Sequence, residues 1–144
     1  MCSSDLSVVQ VYSLVTNSSG AAVGSNSASA IGNGDKVRIG ILPAGLRLDD
    51  ALFLVSDAFT ALVTADIGFE YMDGVDSTDV PQDADYFGTA ITLHTQGRYP
   101  ADNAAVRPVV LPKAAWLIVT TGGAANAAVG VLDVIVHGEM VGVS

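Results

Sequence analysis

The chain has 144 residues, a formal net charge of −9, and only 15% charged and 6% aromatic residues. This length fits a single domain with its own core, and the low charged fraction excludes a coiled coil and a charged disordered tail. Cys2 is the one cysteine of the sequence, so an intrachain disulfide scaffold is excluded as well. We expect an acidic, soluble, mostly-β protein.

The first 34 residues differ in composition from the rest of the chain. The run from Leu6 to Val15 is rich in β-branched residues, whereas residues 16–34 are almost all Ser, Asn, Gly and Ala. A segment of that composition buries little apolar surface and behaves as a flexible coil. We therefore predict an N-terminal strand and flexible arm over residues 1–34, and a β-sandwich domain over residues 35–144.

Apolar and polar residues alternate along most of the predicted domain, which is typical of half-buried strands. The clearest case is Val63, Ala65, Ile67, Phe69 and Tyr71, which share one face. The predicted strands lie at residues 37–41, 51–56, 61–71, 89–95, 106–111, 115–121 and 127–136. Short strands separated by turn residues predict an all-β, antiparallel two-sheet sandwich with an extended N-terminal arm.

One stretch, residues 48–63, supports two interpretations. Leu48, Leu52, Val55, Phe59 and Leu62 follow helical spacing. Phe53, Leu54 and Val63 lie off that stripe, and Val63 belongs to a well-patterned strand. We favour a strand at residues 51–56, and the helix stays as the alternative.

The negative charge is concentrated in the middle of the sequence. Between Leu48 and Gly97 there are ten Asp and Glu residues and no Lys or Arg. Because nucleic-acid binding depends on basic side chains that neutralise phosphates, we predict that nucleic acid is not a partner. Two interpretations of this acidic segment stay open: solvated loops that maintain solubility, or a surface that attracts a basic partner.

Neither a membrane segment nor a metal or catalytic site is predicted. The uncharged residues 114–132 contain turn residues at their centre, so they indicate two strands instead of a membrane span. Asp133 and His137 would lie about 13 Å apart along one strand, too far for a catalytic pair. The Asp-rich loop from Asp73 to Asp85 lacks the spacing of an EF-hand, and the two histidines lack zinc-ligand spacing. We therefore predict no catalytic residues, no metal and no cofactor, and we expect Trp116 in the core.

Several segments, in a fixed order, carry a family resemblance. They are residues 35–45 (DKVRIGILPAG), 66–70 (DIGFE), 85–88 (DYFG), 115–122 (AWLIVTTG) and 130–137 (GVLDVIVH). This order resembles the small jelly-roll cement, or head decoration, proteins of tailed bacteriophages, over residues 31–141. The resemblance implies a jelly-roll sandwich and a structural virion protein, not an enzyme, that binds the outside of a phage head and stabilises the capsid.

The same resemblance implies partners and a location. It implies binding to the major capsid protein, self-association as a dimer or trimer, and a place on the virion surface after assembly in the host cytoplasm. The main alternative is a ligand- or receptor-binding β-sandwich, such as a lectin-like spike or tail-tip module. The partner-contact candidates are exposed apolar positions of the first and last strands: Leu6, Val8, Val9, Val11, Val129, Val131 and Ile135. We also expect that deletion of residues 1–15 leaves the domain folded but weakens particle binding.

Overall fold

The computed structural model describes residues 6–23, 31–101 and 108–140. Within these ranges the chain forms strands and turns, without helix. The strands are β1 (Leu6–Thr16), β2 (Lys36–Leu42), β3 (Leu46–Asp57), β4 (Thr64–Tyr71), β5 (Asp83–Thr92), β6 (Gly97–Pro100), β7 (Val109–Val110), β8 (Ala115–Gly122) and β9 (Gly130–Met140).

The strands form two antiparallel sheets that pack face to face. One sheet has the order β1-β9-β3-β6, with β7 also paired to β3, and the other has the order β2-β8-β4-β5. Strands at the two ends of the chain therefore lie side by side, and the chain crosses repeatedly between the sheets. This is the strand order of a jelly roll. The predicted all-β, antiparallel two-sheet sandwich is confirmed.

The core lies between the sheets and follows the alternation predicted from the sequence. On the β4 side, Val63, Ala65, Ile67, Phe69 and Tyr71 are all buried. Across the interior, the central strands β3, β8 and β9 contribute aliphatic side chains and Phe53 to the same cluster. The ring of Phe69 packs edge to face on the ring of Tyr86, with 5.5 Å between centroids, the geometry that aromatic pairs prefer.

Residues 48–63 contain a strand, β3, which is longer than predicted. Its pairing with β9 shifts register between Leu48 and Asp50 and again between Val55 and Asp57. Each bulge adds one residue to the strand, so the inward side chains do not keep a strict period of two. Leu48 and Val55 both point inward although they are seven residues apart, and Leu52 between them points outward. This irregular spacing of apolar residues resembles the spacing of a helix.

The first strand belongs to the sandwich, although the domain was predicted to begin near residue 35. β1 pairs with β9 along its whole length, from Leu6 opposite Met140 to Thr16 opposite Gly130, and Leu14 is buried in the core. Removing residues 1–15 would expose the edge of β9 and remove Leu14 from the core. We therefore no longer expect the domain to stay folded after this deletion. The division of the chain at residue 34 stays a prediction, and residues 24–30 of the arm lie outside the described residues.

Asn126 connects β1 to the loops at one end of the sandwich. Its side chain is 2% exposed, and its amide nitrogen donates to the Thr16 hydroxyl and to the carbonyl of Ala128. Its amide oxygen accepts hydrogen bonds from the backbone N–H and the hydroxyl of Thr60. The Asn126 N–H donates to the Ile31 carbonyl at 2.8 Å. Hydrogen bonds, which composition does not reveal, therefore order both ends of the predicted arm.

Three further details differ from the sequence prediction. β5 begins at Asp83, inside the predicted acidic loop and six residues before the strand predicted at residues 89–95. β6 was not predicted, because Gly97–Pro100 is short and carries an arginine and a proline. Trp116 is only partly buried and lies on the outer face of the four-stranded sheet, because its neighbours Ala115 and Leu117 take the inward positions of β8.

Candidate interaction surfaces

The outer side of the five-stranded sheet carries apolar side chains in rows across neighbouring strands. Ile135 of β9 lies opposite Val11 of β1 on one side and opposite Leu52 of β3 on the other. A parallel row places Val131 beside Val15. We call this surface the apolar face; it consists of Val9, Val11, Val15, Leu52, Leu54, Val131 and Ile135. Val9 and Val11 are 61% and 60% exposed, unusual for neighbouring apolar side chains that have no partner.

The predicted contact residues fall unevenly on this surface. Val9, Val11, Val131 and Ile135 belong to the apolar face, and Val129 is exposed immediately before β9 begins. The backbone of Leu6 and Val8 pairs with Met140 and Gly138, but their side chains lie outside the described residues.

Sequence reasoning missed Leu52 and Leu54, which extend the surface onto β3. The signal that would have found them is the alternation with the inward residues Ala51, Phe53 and Val55. It was hidden by the bulges at both ends of this segment.

Polar residues interrupt the apolar face. The Ser13 hydroxyl donates to the Asp133 carboxylate, and His137 is exposed four residues further along β9. At the far end, the Arg47 guanidinium bridges the carboxylates of Asp49 and Glu139 at 2.6 and 2.8 Å. Asp133 and His137 thus both lie on the outer face of β9 and are four residues apart along this strand.

The outer face of the four-stranded sheet combines a cluster of ion pairs with two apolar side chains, Ile41 and its cross-strand partner Trp116. Glu70 of β4 accepts hydrogen bonds from Lys36 and Arg38 of β2, and Arg38 also lies 5.4 Å from the ring centre of Trp116. Partial burial raises the pKa of Glu70, but the hydrogen bonds and positive charges of Lys36 and Arg38 outweigh it, so the pKa is lowered. Glu70 therefore forms ion pairs with both cations of this sheet face.

The Asp-rich loop uses its carboxylates to hold its own shape. Lys113 donates to both carboxylate oxygens of Asp73, and Asp76 accepts backbone hydrogen bonds from Ser77 and Gln82. A hydrogen bond with Asp85 and partial burial raise the pKa of Asp83, since two nearby carboxylates share a proton more easily than they both ionise. Within the described residues, no three His, Cys, Asp or Glu side chains converge in the manner of metal ligands.

A cavity of about 270 Å³ opens beside this loop. Phe69, Tyr86 and Val109 form its apolar wall, and Asp79 and Asp83 are among its polar residues. Burial raises the pKa of Tyr86 to about 12, so its hydroxyl stays neutral. The cavity is slightly smaller than the roughly 300–1,000 Å³ typical of small-molecule sites.

The described residues include no helix that is both long and apolar enough to cross a lipid bilayer.

Comparison with known proteins supplies structural neighbours. Neither a protein-family model nor a curated protein sequence matches the chain. Among solved structures, a chain of the capsid of Ralstonia phage GP4 superimposes with a TM-score of 0.63 at 17% identity, covering 99% of this chain and 88% of that one. A chain of the cyanophage Pam1 capsid asymmetric unit gives 0.60 at 15% identity, covering 93% and 86%.

A third neighbour comes from the acidic stable capsid of Helicobacter pylori bacteriophage KHP30. It superimposes with a TM-score of 0.51 at 11% identity and covers 93% of this chain and 92% of that chain. Coverage is high in both directions in all three cases, so the described part of this chain has the fold of those chains.

Proposed function

We propose that this chain is a non-catalytic structural component of a bacteriophage particle, a decoration protein that binds the outside of the head and stabilises the shell. The apolar face is the observation that carries the proposal. Two supports accompany it: the fold shared with chains from three phage capsids, and the motif order that resembles cement proteins. The site of action is the virion surface, reached by assembly in the host cytoplasm.

The chemistry of the apolar face suits docking on a protein surface. Its side chains alternate with buried ones on three adjacent strands, so the sheet holds them in fixed positions. A pre-ordered apolar surface loses little conformational entropy when a partner covers it. The partners we propose are the major capsid protein and further copies of this chain, as a dimer or trimer.

The acidic segment has a second part in this proposal. Asp79 and Asp83 beside the cavity lie in a stretch of sequence without Lys or Arg. Carboxylates on a protein surface favour basic partner surfaces and speed their encounter. Many such contacts, repeated by the symmetry of a shell, add avidity of roughly 10²–10⁴.

A ligand-binding module was the alternative from the sequence. The cavity beside the Asp-rich loop would serve it, but the fold shared with chains of three phage capsids does not favour this alternative. We therefore take the decoration role as the function that the geometry supports best.

The decisive experiment measures occupancy on head shells that lack this chain, assembled from the major capsid protein of the same phage. Leu52→Asp introduces a charge into the centre of the apolar face, and Thr120→Asp introduces the same charge on the outer side of the other sheet. Because a buried, unpaired carboxylate is costly in an interface, we expect Leu52→Asp to lower occupancy at least tenfold. Thr120→Asp should bind as the unmodified chain does.

Quantitative gel densitometry of purified particles gives the occupancy, and circular dichroism with thermal unfolding confirms that both variants are folded. If the unmodified chain does not bind the shells, the decoration role is wrong. Equal loss of binding in both variants would instead exclude the apolar face as the docking surface.

A further inference from the structure

The edges of the two sheets differ in how they are protected from pairing with other strands. Natural proteins protect sheet edges with charged residues, proline and bulges. β6 carries Arg98 and Pro100. β2 carries Lys36 and Arg38 and a register shift next to the latter. β5 carries Asp83 and Asp85, and its pairing with β4 shifts register twice.

β1 lacks all of these features. Its eleven residues, LSVVQVYSLVT, include neither a charged residue nor a proline. Its pairing with β9 runs from Leu6 to Thr16 without a register shift. In a protein of net charge −9, this is the one sheet edge of the described residues that is long, regular and uncharged.

The backbone directions along β1 show which groups face outward from this edge. The Val23 N–H donates to the Val15 carbonyl at 2.8 Å, on the side of β1 that faces away from β9. Successive residues of a strand point their backbone groups to alternate sides. Ser7, Val9, Val11 and Ser13 therefore direct their N–H and C=O groups to this same side, and among the described residues no backbone hydrogen bond is made to them there.

The order of these four residues is self-complementary. The sequence is symmetric about Gln10 at these positions: Ser7 and Ser13 lie three residues to either side, and Val9 and Val11 lie one residue to either side. Two antiparallel copies of β1 related by a two-fold axis at Gln10 would place Val9 of each opposite Val11 of the other. All four outward-pointing residues would then form hydrogen-bonded pairs of the antiparallel type.

We propose that β1 pairs with β1 of a second copy of this chain, joining two five-stranded sheets into one across a two-fold axis. This rests on the proposed function in one respect, because the dimer would present two apolar faces side by side to a shell. The occupant is a second copy because the segment matches itself and because an uncharged edge lets two acidic chains approach.

The test uses charge exchange across the axis, in solution and without particles. Sedimentation velocity should show a concentration-dependent dimer for the unmodified chain. The Val9→Lys/Val11→Lys double variant and the Val9→Glu/Val11→Glu double variant should each raise the dimer dissociation constant at least tenfold, because like charges face each other across the strands. An equimolar mixture of the two variants should restore the dimer, since each Lys then faces a Glu.

A second double variant tests the register. Val9→Lys/Val11→Glu should dimerise by itself, because the axis at Gln10 places each Lys opposite a Glu of the other copy. An axis at Val11 would place Glu opposite Glu and abolish the dimer. Restoration in the mixture but not in this variant would therefore overturn the Gln10 register.

A measurement on the unmodified chain covers the case in which the charged variants do not fold. Amide hydrogen exchange at Val9 and Val11 should slow as the protein concentration rises, while exchange at β6 should not change. A monomer at all concentrations, or a mixture without heterodimer, overturns the strand pairing. The decoration role is still supported in that case if Leu52→Asp lowers shell occupancy. A chain that dimerises but never binds shells would instead contradict the decoration role and leave the strand pairing supported.

Discussion

The outer faces of the two sheets differ in composition. On the four-stranded sheet, Lys36 and Arg38 bind the carboxylate of Glu70, with Arg38 also stacked over Trp116. On the five-stranded sheet, Val11, Ile135 and Leu52 form an apolar row across three strands. The first face is dominated by an ion-pair cluster and exposes Ile41 beside it, whereas the second exposes several apolar side chains on adjacent strands.

This difference indicates which face gains more from a partner. Surface ion pairs contribute little, so the cluster of Lys36, Arg38 and Glu70 has little to gain from being covered. Exposed apolar side chains gain about 25 cal/mol per Å² when covered. We expect four effects, from the largest to the smallest: two on the attachment of β1, which carries part of the apolar face, and one on each outer face.

The largest effect is expected at the junction that attaches β1, and with it part of the apolar face, to the loops. Asn126→Ala removes hydrogen bonds to Thr16, Thr60 and Ala128 and leaves buried groups unsatisfied. We expect the free energy of unfolding to fall by about 2–4 kcal/mol. Urea unfolding measures this, with the exposed Asn33→Ala as control. A loss below about 0.5 kcal/mol would mean that the junction does not hold β1.

The next effect concerns the contact between the first strands of the two sheets. Gly40 of β2 has no room for a side chain, because an added Cβ would lie 2.0 Å from the Tyr12 ring of β1. Gly40→Ala should therefore cost about 1–3 kcal/mol through overpacking. Gly122→Ala, where the nearest atom is at 3.5 Å, is the matched control and should change the melting temperature little. Equal effects would show that β1 packs loosely on β2.

A smaller, pH-dependent effect is expected at Glu70, on the outer face of the four-stranded sheet. The pKa of Glu70 is lowered in the folded state, so its ionised form contributes stability above the unfolded pKa of about 4.3 and loses it as the pH falls through the folded value. Glu70→Gln should cost about 1 kcal/mol at pH 7. The difference from the unmodified chain should shrink below about pH 4. Denaturant unfolding across this range measures it, and a pH-independent difference would contradict the ion-pair interpretation.

The smallest stability change is expected on the apolar face itself. Val11→Thr keeps the shape and β-propensity of an exposed side chain, so the free energy of unfolding should change by less than about 0.5 kcal/mol. Shell occupancy should nevertheless decrease, because the added hydroxyl must be desolvated in a contact. Thermal unfolding and densitometry measured on the same samples separate the two quantities. Unchanged occupancy would remove Val11 from the docking surface.

The sequence by itself determined most of the strands and the class of fold. The alternation of apolar and polar residues from Val63 to Tyr71 shows which side chains face the core. This pattern can be seen in a short stretch of sequence because side chains of a strand alternate with a period of two. The charge distribution likewise showed that the centre of the chain is acidic. The outward positions of Val131 and Ile135 followed from the same period.

The tertiary structure decided the rest, because it depends on partners distant in sequence. The bulges of β3, which turn Leu52 outward, appear only when β9 lies alongside. The burial of Asn126 depends on Thr16 and Thr60, which lie 110 and 66 residues away. β1 belongs to the sandwich because it pairs with β9 along its whole length. The amino-acid composition indicated only that the segment after β1 is a loop.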